Sequence, residues 1–348
     1  VISADVTLTA RFGWNGTTVA TSLSGDGSEA SPYLIGNGAE LKYFVSQFSK
    51  TNNYSGKFFK LTADINLNDK EWKPLKDTGT HEVTNSSTGV VTTVTDYYGF
   101  AGIFDGDNKS IVGLKITSGS YVGLFGVISG GTVKNLTVNG TVNAAGTVGI
   151  LVGQIQCGST IENVTAKGTV TGSATDVGGI AGNVLKGSYT GASTAVTTIK
   201  NCTNYAKVEC TVGASTACAG GIGGATTPAV TITGCENHGD VKSGATFAGG
   251  IVGLFRANAS SVVSNCYNYG DVTGSIQVGG IVGGNRANIK DSYCYSEAKI
   301  KETAAKDREL DGSSGFIGAI AGRLEGTAAT RTGGGLCDEN GDPITANA

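Results

Sequence analysis

The chain has 348 residues, 56 of them glycine, about 16% against the roughly 7% of ordinary soluble proteins. Only 4 prolines are present and the glycines cluster, as at Gly178-Gly179, Gly249-Gly250 and Gly279-Gly280, which excludes collagen; 39% hydrophobic and 15% charged residues with a net charge of −3 exclude a disordered chain. With 25 Lys+Arg against 28 Asp+Glu and no basic run, the footprint of a nucleic-acid binder is missing.

Taken in chain order, residues 1–12 (VISADVTLTARF) read as the terminal strand of a preceding small β domain, and Val1 suits an excised segment of a larger protein. No basic n-region with an apolar core opens the chain and no apolar run reaches eighteen residues, so neither a leader nor a membrane span is expected. Leu41, Phe44, Val45 and Phe48 recur at helical spacing behind Asn37, with Glu40 three residues later, which predicts an N-capped amphipathic α-helix. It would form part of a cap over residues 13–60. Phe58 to Leu67 and Ile103 to Ile116 read as strands. Between them, the polar Thr/Ser/Val-rich stretch 76–98, with Ser86 to Gly89 as its turn, reads as a β-hairpin insertion.

From residue 122 two phrases alternate. The first is TVKNLTVNGTV (132–142), TIENVTAKGTV (160–170), TIKNCTNYAKV (198–208), TITGCENHGDV (231–241) and VVSNCYNYGDV (262–272), with a degenerate copy at 288–300. The second is VGLFG, VGILVG, VGGIAG, AGGIGG, AGGIVG and VGGIVG, ending at Gly126, Gly153, Gly182, Gly224, Gly253 and Gly283, then GAIAG ending at Gly322. A fixed period of tens of residues is the mark of a solenoid or propeller, and most spacings here are too short for a four-stranded blade. The prediction is an all-β chain: a right-handed parallel β-helix, three-sided, over residues 13–322, with residues 323–348 as a C-terminal cap or tail.

Alignment of the first phrases gives columns. Leu136, Val164, Cys202, Cys235, Cys266 and Ser292 should face inward, as should Val138, Ala166, Asn204, Asn237, Asn268 and Cys294 two positions later. Stacked coils place like residues about 4.8 Å apart, so the asparagines should form an interior hydrogen-bonded ladder. The glycines at 140, 168, 239 and 270 should turn a corner at positive φ. The eight cysteines are expected to be mostly free core thiols, with Cys210 and Cys218 the pair nearest to a bridge. Without a CxxC and with only His81 and His238, no structural zinc site and no cofactor are expected.

The VGLFG, VGGIAG and VGGIVG phrases, each following a strand of the pattern Thr, Ile or Val, any residue, Asn, then Cys, Leu or Val, resemble the GLUG motif of bacterial surface and secreted proteins, many from gut Bacteroidales. GDGSEASPYLI (25–35), FKLTADINL (59–67) and FAGIFDGDNKSIVGLKI (100–116) resemble the lead-in of those proteins. The resemblance covers residues 25–322. It implies an adhesin-like module at the cell surface or secreted, and carries no catalytic set to transfer.

Functional candidates are correspondingly sparse. The outward column Tyr205, His238, Tyr269 and Tyr295, flanked by Tyr267 and Tyr293, would make an amphipathic strip able to receive a glycan or a host matrix protein, or would simply stiffen the sheet. Tyr97 and Tyr98 at the base of the hairpin are a second such pair. Asp240, Asp271 and Glu297 would form an acidic stripe, most simply a solvated face, and Asp105 and Asp107 sit in a turn. Asp338, Asn340 and Asp342 lack the downstream glutamate of a calcium loop. The expectation is a non-enzymatic stalk or adhesin, monomeric within a larger multidomain protein; the alternative is a polysaccharide lyase or hydrolase of the β-helix type.

Overall fold

The structure is a computed structural model that describes residues 13–156, 158–186, 194–213, 217–227, 229–244, 246–256 and 261–285, followed by the short stretches 294–296, 299–302, 316–318, 321–324, 336–337 and 343–344. Period-two alternation and punctuating glycines build a parallel β-helix. Its walls are a 17-stranded sheet, a 5-stranded sheet and a 7-stranded sheet, with every pairing inside them parallel apart from isolated bridges. The hairpin insertion stands apart as an antiparallel pair, Asp77–Thr84 with Val91–Tyr98. Leu336–Cys337 and Pro343–Ile344 form a second antiparallel pair near the end of the chain. Residues 1–12 lie outside the described residues.

Register confirms rung-over-rung stacking. Val164 pairs with Leu136, Thr165 with Thr203, Asn204 with Asn237 and Asn237 with Asn268. Among the described residues both predicted inward columns are buried, Leu136, Val164, Cys202, Cys235 and Cys266 in one and Val138, Ala166, Asn204, Asn237 and Asn268 in the other, while Ser292 lies outside the described residues; the interior forms one continuous cluster from Trp14 to Val282. An open solenoid end would expose that cluster. The helix Gly38–Ser46 covers it: Asn37 Oδ1 accepts from the Glu40 N–H at 3.0 Å, the Glu40 carboxylate accepts from the Gly36 N–H at 2.6 Å, and Leu41 and Phe44 are buried. The Phe44 ring meets Tyr54, Phe59, Phe100, Phe104 and Phe125 at centroid distances of 4.7 to 6.2 Å. Each such pair adds about 0.5–1.5 kcal/mol beyond area burial, so the aromatic plug anchors the first coils.

Farther along, the filling changes from aromatics to cysteine and asparagine. Asn204 Nδ2 donates to Asn237 Oδ1 at 2.8 Å, and Asn237 Nδ2 donates to Asn268 Oδ1 at 2.7 Å. Each Nδ2 also donates to a backbone carbonyl two residues on, of Ala206, Gly239 or Gly270. This is the predicted ladder, fully buried. The double glycines make room for it. A Cβ at Gly179, Gly221 or Gly250 would stand 2.2 to 2.3 Å from the side-chain carbon of Asn204, Asn237 or Asn268. One coil earlier, where Ile150 replaces Gly179, the ladder position is Ala166. Large and small residues thus trade places across the interior, as close packing requires.

The corner glycines are a correction. Of the four, only Gly168 has positive φ (104°); a Cβ at Gly140, Gly168, Gly239 or Gly270 would instead lie 2.0 to 2.1 Å from a carbonyl oxygen of the neighbouring coil, so close approach is what requires glycine. The left-handed turn is made four residues into the phrase by Asn135, Asn163, Asn201 and Asn265 (φ 51 to 53°), with Gly234 (φ 63°) in the copy that lacks asparagine. Asparagine tolerates this region better than other side chains. Asn163 Nδ2 donates to Asn135 Oδ1 and Asn135 Nδ2 to Asp105 Oδ1, both at 3.0 Å, giving a second, external ladder.

Cys202, Cys210, Cys218, Cys235 and Cys266 are buried thiols outside any disulfide. Cys210 belongs to the interior, whereas Cys218 belongs to a separate cluster with Ala225, Phe247 and Leu254, so the pair expected to be nearest to bridging is divided between two cores. The hydrogen bond with the Cys202 thiol, reinforced by burial, pushes the Cys235 thiol well above the ordinary cysteine range, and burial raises Cys210 and Cys218. Thiolate is the reactive form. Because all five are buried, iodoacetamide applied to the native protein at pH 8 is expected to leave these positions unmodified by peptide mass mapping, and to modify all five in guanidinium.

Candidate functional site

The tyrosine column is set by backbone register. The N–H groups of Tyr205, His238 and Tyr269 donate to the carbonyls of Ala166, Asn204 and Asn237 in the coil before, at 2.7 to 2.8 Å, which pins three outward side chains above one another. Their rings lie face to face: Tyr205 on His238 with centroids 4.7 Å apart and 15° between planes, His238 on Tyr269 at 4.6 Å and 17°. Lys167, one coil earlier, places its Nζ 5.7 Å from the Tyr205 centroid. The carboxylate of Glu236 meets His238 Nε2 at 3.0 Å and fixes the imidazole from the same strand. Tyr205 is 50%, Tyr269 39% and Tyr267 38% exposed. Because the ring faces cover one another, the ribbon presents edges: two phenolic hydroxyls and an imidazole, with an ammonium at one end.

The last repeat departs from the predicted alignment. Cys266 pairs with Cys294, Tyr267 with Tyr295 and Asn268 with Ser296, two residues out of step. Cys294, not Ser292, therefore continues the cysteine column, and Tyr295 continues the column of Glu236 and Tyr267 rather than that of Tyr269. The Asn268 Nδ2 donates to Ser296 Oγ at 3.3 Å, so a hydroxyl closes the ladder. The cause is the degenerate phrase, whose Tyr-Cys-Tyr run fits a period-two pattern in either register. Tyr293 and Glu297 lie outside the described residues. Lys299 is the residue that meets Asp271 in the next coil, so the acidic stripe ends there. Asp240 accepts from the Asp271 N–H at 3.1 Å and Asp271 from the Lys299 N–H at 3.0 Å, so both carboxylates tie coil to coil.

Tyr97 and Tyr98, adjacent in a strand, point to opposite faces. Tyr97 packs on Tyr121 at 4.5 Å, with Lys76 Nζ 5.9 Å from the Tyr121 centroid. A Cβ at Gly79, across the hairpin, would be 3.0 Å from the Tyr98 ring. They are not one surface. His81 pairs with Asp96 across the hairpin at 2.9 Å, through the antiparallel register rather than any sequence motif. Asp105 accepts from Asn135 and from the Asp107 N–H and faces Lys134 at 3.4 Å; burial alone would raise its carboxyl, but these donors hold it below the ordinary value.

One polar cluster carried no sequence signal. Asp176, on the outer side of the 5-stranded sheet, accepts from Asn183 Nδ2 at 3.1 Å; burial raises its carboxyl, while bonds from Asn183 and Cys218 and the charge of Arg256 oppose that rise. Only the outward columns of two different sheets bring these residues together, and no spacing within a phrase reveals it. Among the described residues no group of three or more His, Cys, Asp or Glu side chains is placed to hold a metal, and no helix is long and apolar enough to cross a membrane.

No family model matches the chain. It is 29% identical over 178 residues, 42% of its length, to halomucin of Haloquadratum walsbyi, of whose length the match spans 2%. The crystal structure of a proposed immunoglobulin A1 protease from Bacteroides ovatus has the same fold, with a TM-score of 0.57, 24% identity and 85% of each chain covered.

Proposed function

We propose that this chain is a non-catalytic module of a bacterial surface or secreted protein, which holds a linear glycan along the ribbon formed by Lys167, Tyr205, His238 and Tyr269, with Tyr267 beside it. The observation that carries the reading is the face-to-face stack, which repeats polar ring edges every 4.6 to 4.7 Å along the solenoid. An extended peptide advances about 3.4 Å per residue and drifts out of step with that spacing. A polymer of ring-sized units stays closer to it, and phenolic hydroxyls, an imidazole and a carboxylate supply both donors and acceptors for sugar hydroxyls. The GLUG-like phrases support a surface location, as do the Bacteroides source of the structural neighbour and the mucin-like relative.

The test is a glycan and matrix-protein array probed with the native chain and with Tyr205→Ala/Tyr269→Ala. The double variant is expected to lose at least tenfold in affinity for the retained glycan at nearly unchanged Tm, since exposed positions contribute little to stability. Equal binding by both proteins overturns the ribbon as the site. Binding only to matrix proteins replaces the ligand class, binding to nothing leaves a spacer, and release of soluble products from the retained glycan overturns the non-catalytic reading.

A further inference from the structure

A second surface, at the capped end of the solenoid and far along the chain from the tyrosine ribbon, has the form of a ligand pocket. It lies where the C-terminal turn of the helix Gly38–Ser46 meets the first coil, and encloses about 250 Å³. Its floor is apolar, from the buried rings of Tyr54 and Phe59. Tyr33 and Tyr43 form two walls, while Gln47, Asn52 and Lys57 stand on the rim.

The floor and the Tyr33 wall are held in place by contacts already present in the protein. Tyr54 sits at φ 65°, a backbone region costly for a bulky side chain, and its hydroxyl donates to the Phe44 carbonyl at 2.6 Å, which locks the ring in place. The Tyr33 ring lies on Phe59 at 5.3 Å and is backed by the loop 25–31. A Cβ at Gly27 in that loop would be 2.3 Å from the Tyr33 ring, and the loop is closed by hydrogen bonds from the Asp26 and Gly27 N–H groups to the Ser31 carbonyl. The GDGSEASPYLI segment, whose end Tyr33–Ile35 pairs with the next coil and buries Ile35, thus also builds a pocket wall. Asn52 Nδ2 donates to the Gln47 carbonyl at 2.8 Å and Lys57 Nζ to the Asp26 carbonyl at 3.2 Å, with Lys57 also 5.9 Å from the Tyr33 centroid. Asn52 and Lys57 are therefore oriented before any ligand arrives.

The chemistry narrows the occupant. A volume below the ~300 Å³ of drug-sized sites admits one ring, not a chain. Two tyrosine walls over an apolar floor suit a body with an apolar face, and two amides with two phenols suit hydroxyls around its edge. Lys57 is the one cation among the lining residues, which include no carboxylate. From this geometry we infer that the cap carries a second binding site, for a single terminal sugar ring, with a carboxylate substituent of that sugar directed to Lys57.

Saturation-transfer NMR on the whole chain with methyl glycosides of glucose, galactose, N-acetylglucosamine, glucuronic acid and N-acetylneuraminic acid tests this. At least one acidic glycoside is expected to bind more tightly than every neutral one. Tyr33→Ala and Asn52→Ala should each weaken that binding at least fivefold, and Lys57→Gln should abolish the preference for the acid while neutral binding persists. Tyr205→Ala/Tyr269→Ala should leave it unchanged, so this site and the ribbon fail or stand separately. Absence of saturation transfer from all five, or retention of full affinity in Asn52→Ala, whose exposed rim position keeps the fold intact, overturns the inference. Neutral glycosides binding as well as acidic ones overturns the role given to Lys57.

Discussion

Asn237→Ala is expected to destabilise the protein by about 3–5 kcal/mol, far more than an exposed asparagine of the same phrase. The side chain is completely buried; its Oδ1 accepts from Asn204 at 2.8 Å, and its Nδ2 donates to Asn268 at 2.7 Å and to the Gly239 carbonyl at 2.8 Å. Truncation leaves the Asn268 Oδ1 and the Gly239 carbonyl short of a donor in a site closed to water, at about 1–3 kcal/mol each, and adds a cavity. Asn237→Asp is nearly isosteric but at neutral pH can only accept, so it sets a carboxylate against the Asn268 oxygen. Its stability should recover as pH falls and the carboxyl regains a proton that it can donate. Asn139, exposed in an earlier copy of the phrase, should tolerate alanine within about 0.5 kcal/mol. Urea unfolding measures all three variants. Hydrogen exchange of the strands around 204, 237 and 268 checks that the loss is local, as expected where each coil contacts only its neighbours. A loss below about 1 kcal/mol for Asn237→Ala would mean that the column does not act as a hydrogen-bonded ladder.

What was legible in advance follows the same physics. A strand one residue out of register would bury Thr165 or Thr203 in place of Val164 or Cys202, so strict alternation reveals the inward columns and the stacking order. The helix showed itself through Asn37, Glu40 and the spacing of Leu41 and Phe44, all local signals. The register of the final repeat is not legible, because its tyrosines and cysteine alternate without an apolar anchor to choose between two registers. The corner is ambiguous in sequence because glycine and asparagine both punctuate most phrases, and only backbone angles separate the residue that turns from the residue that must be small. For the ribbon, the column of residues was readable but the ring orientation was not. Face-to-face stacking depends on side-chain torsions, and it makes the expected amphipathic strip a row of edges. The pocket at the cap draws on a loop, a helix end and two strands, so no periodicity within the chain announces it.

Two glycines of one phrase, Gly221 and Gly223, should respond oppositely to alanine. At Gly221 a Cβ would stand 2.1 Å from the Gly250 carbonyl oxygen and 2.3 Å from Asn237 Cγ, distances that no small shift relieves, because one neighbour is backbone and the other is held by the ladder. The expected loss is about 4 kcal/mol or more, at the far end of what single substitutions do. At Gly223 the nearest atom to a Cβ is the Ala181 oxygen at 4.0 Å, and the residues in register with it are Ala181 and Val252, so side chains are already accommodated at that level. Gly223→Ala should be neutral or stabilising by about 0.4–1 kcal/mol, through the reduced freedom of the unfolded chain. The double variant Gly221→Ala/Asn237→Ala separates the two clashes. Removing the asparagine relieves the side-chain contact but not the one with the Gly250 carbonyl, so the pair should be less damaging than the sum of the singles by about 1–3 kcal/mol, yet not restored. Strict additivity would show that the glycine column exists for the backbone alone, and that its match to the asparagine ladder plays no part in holding the coils together.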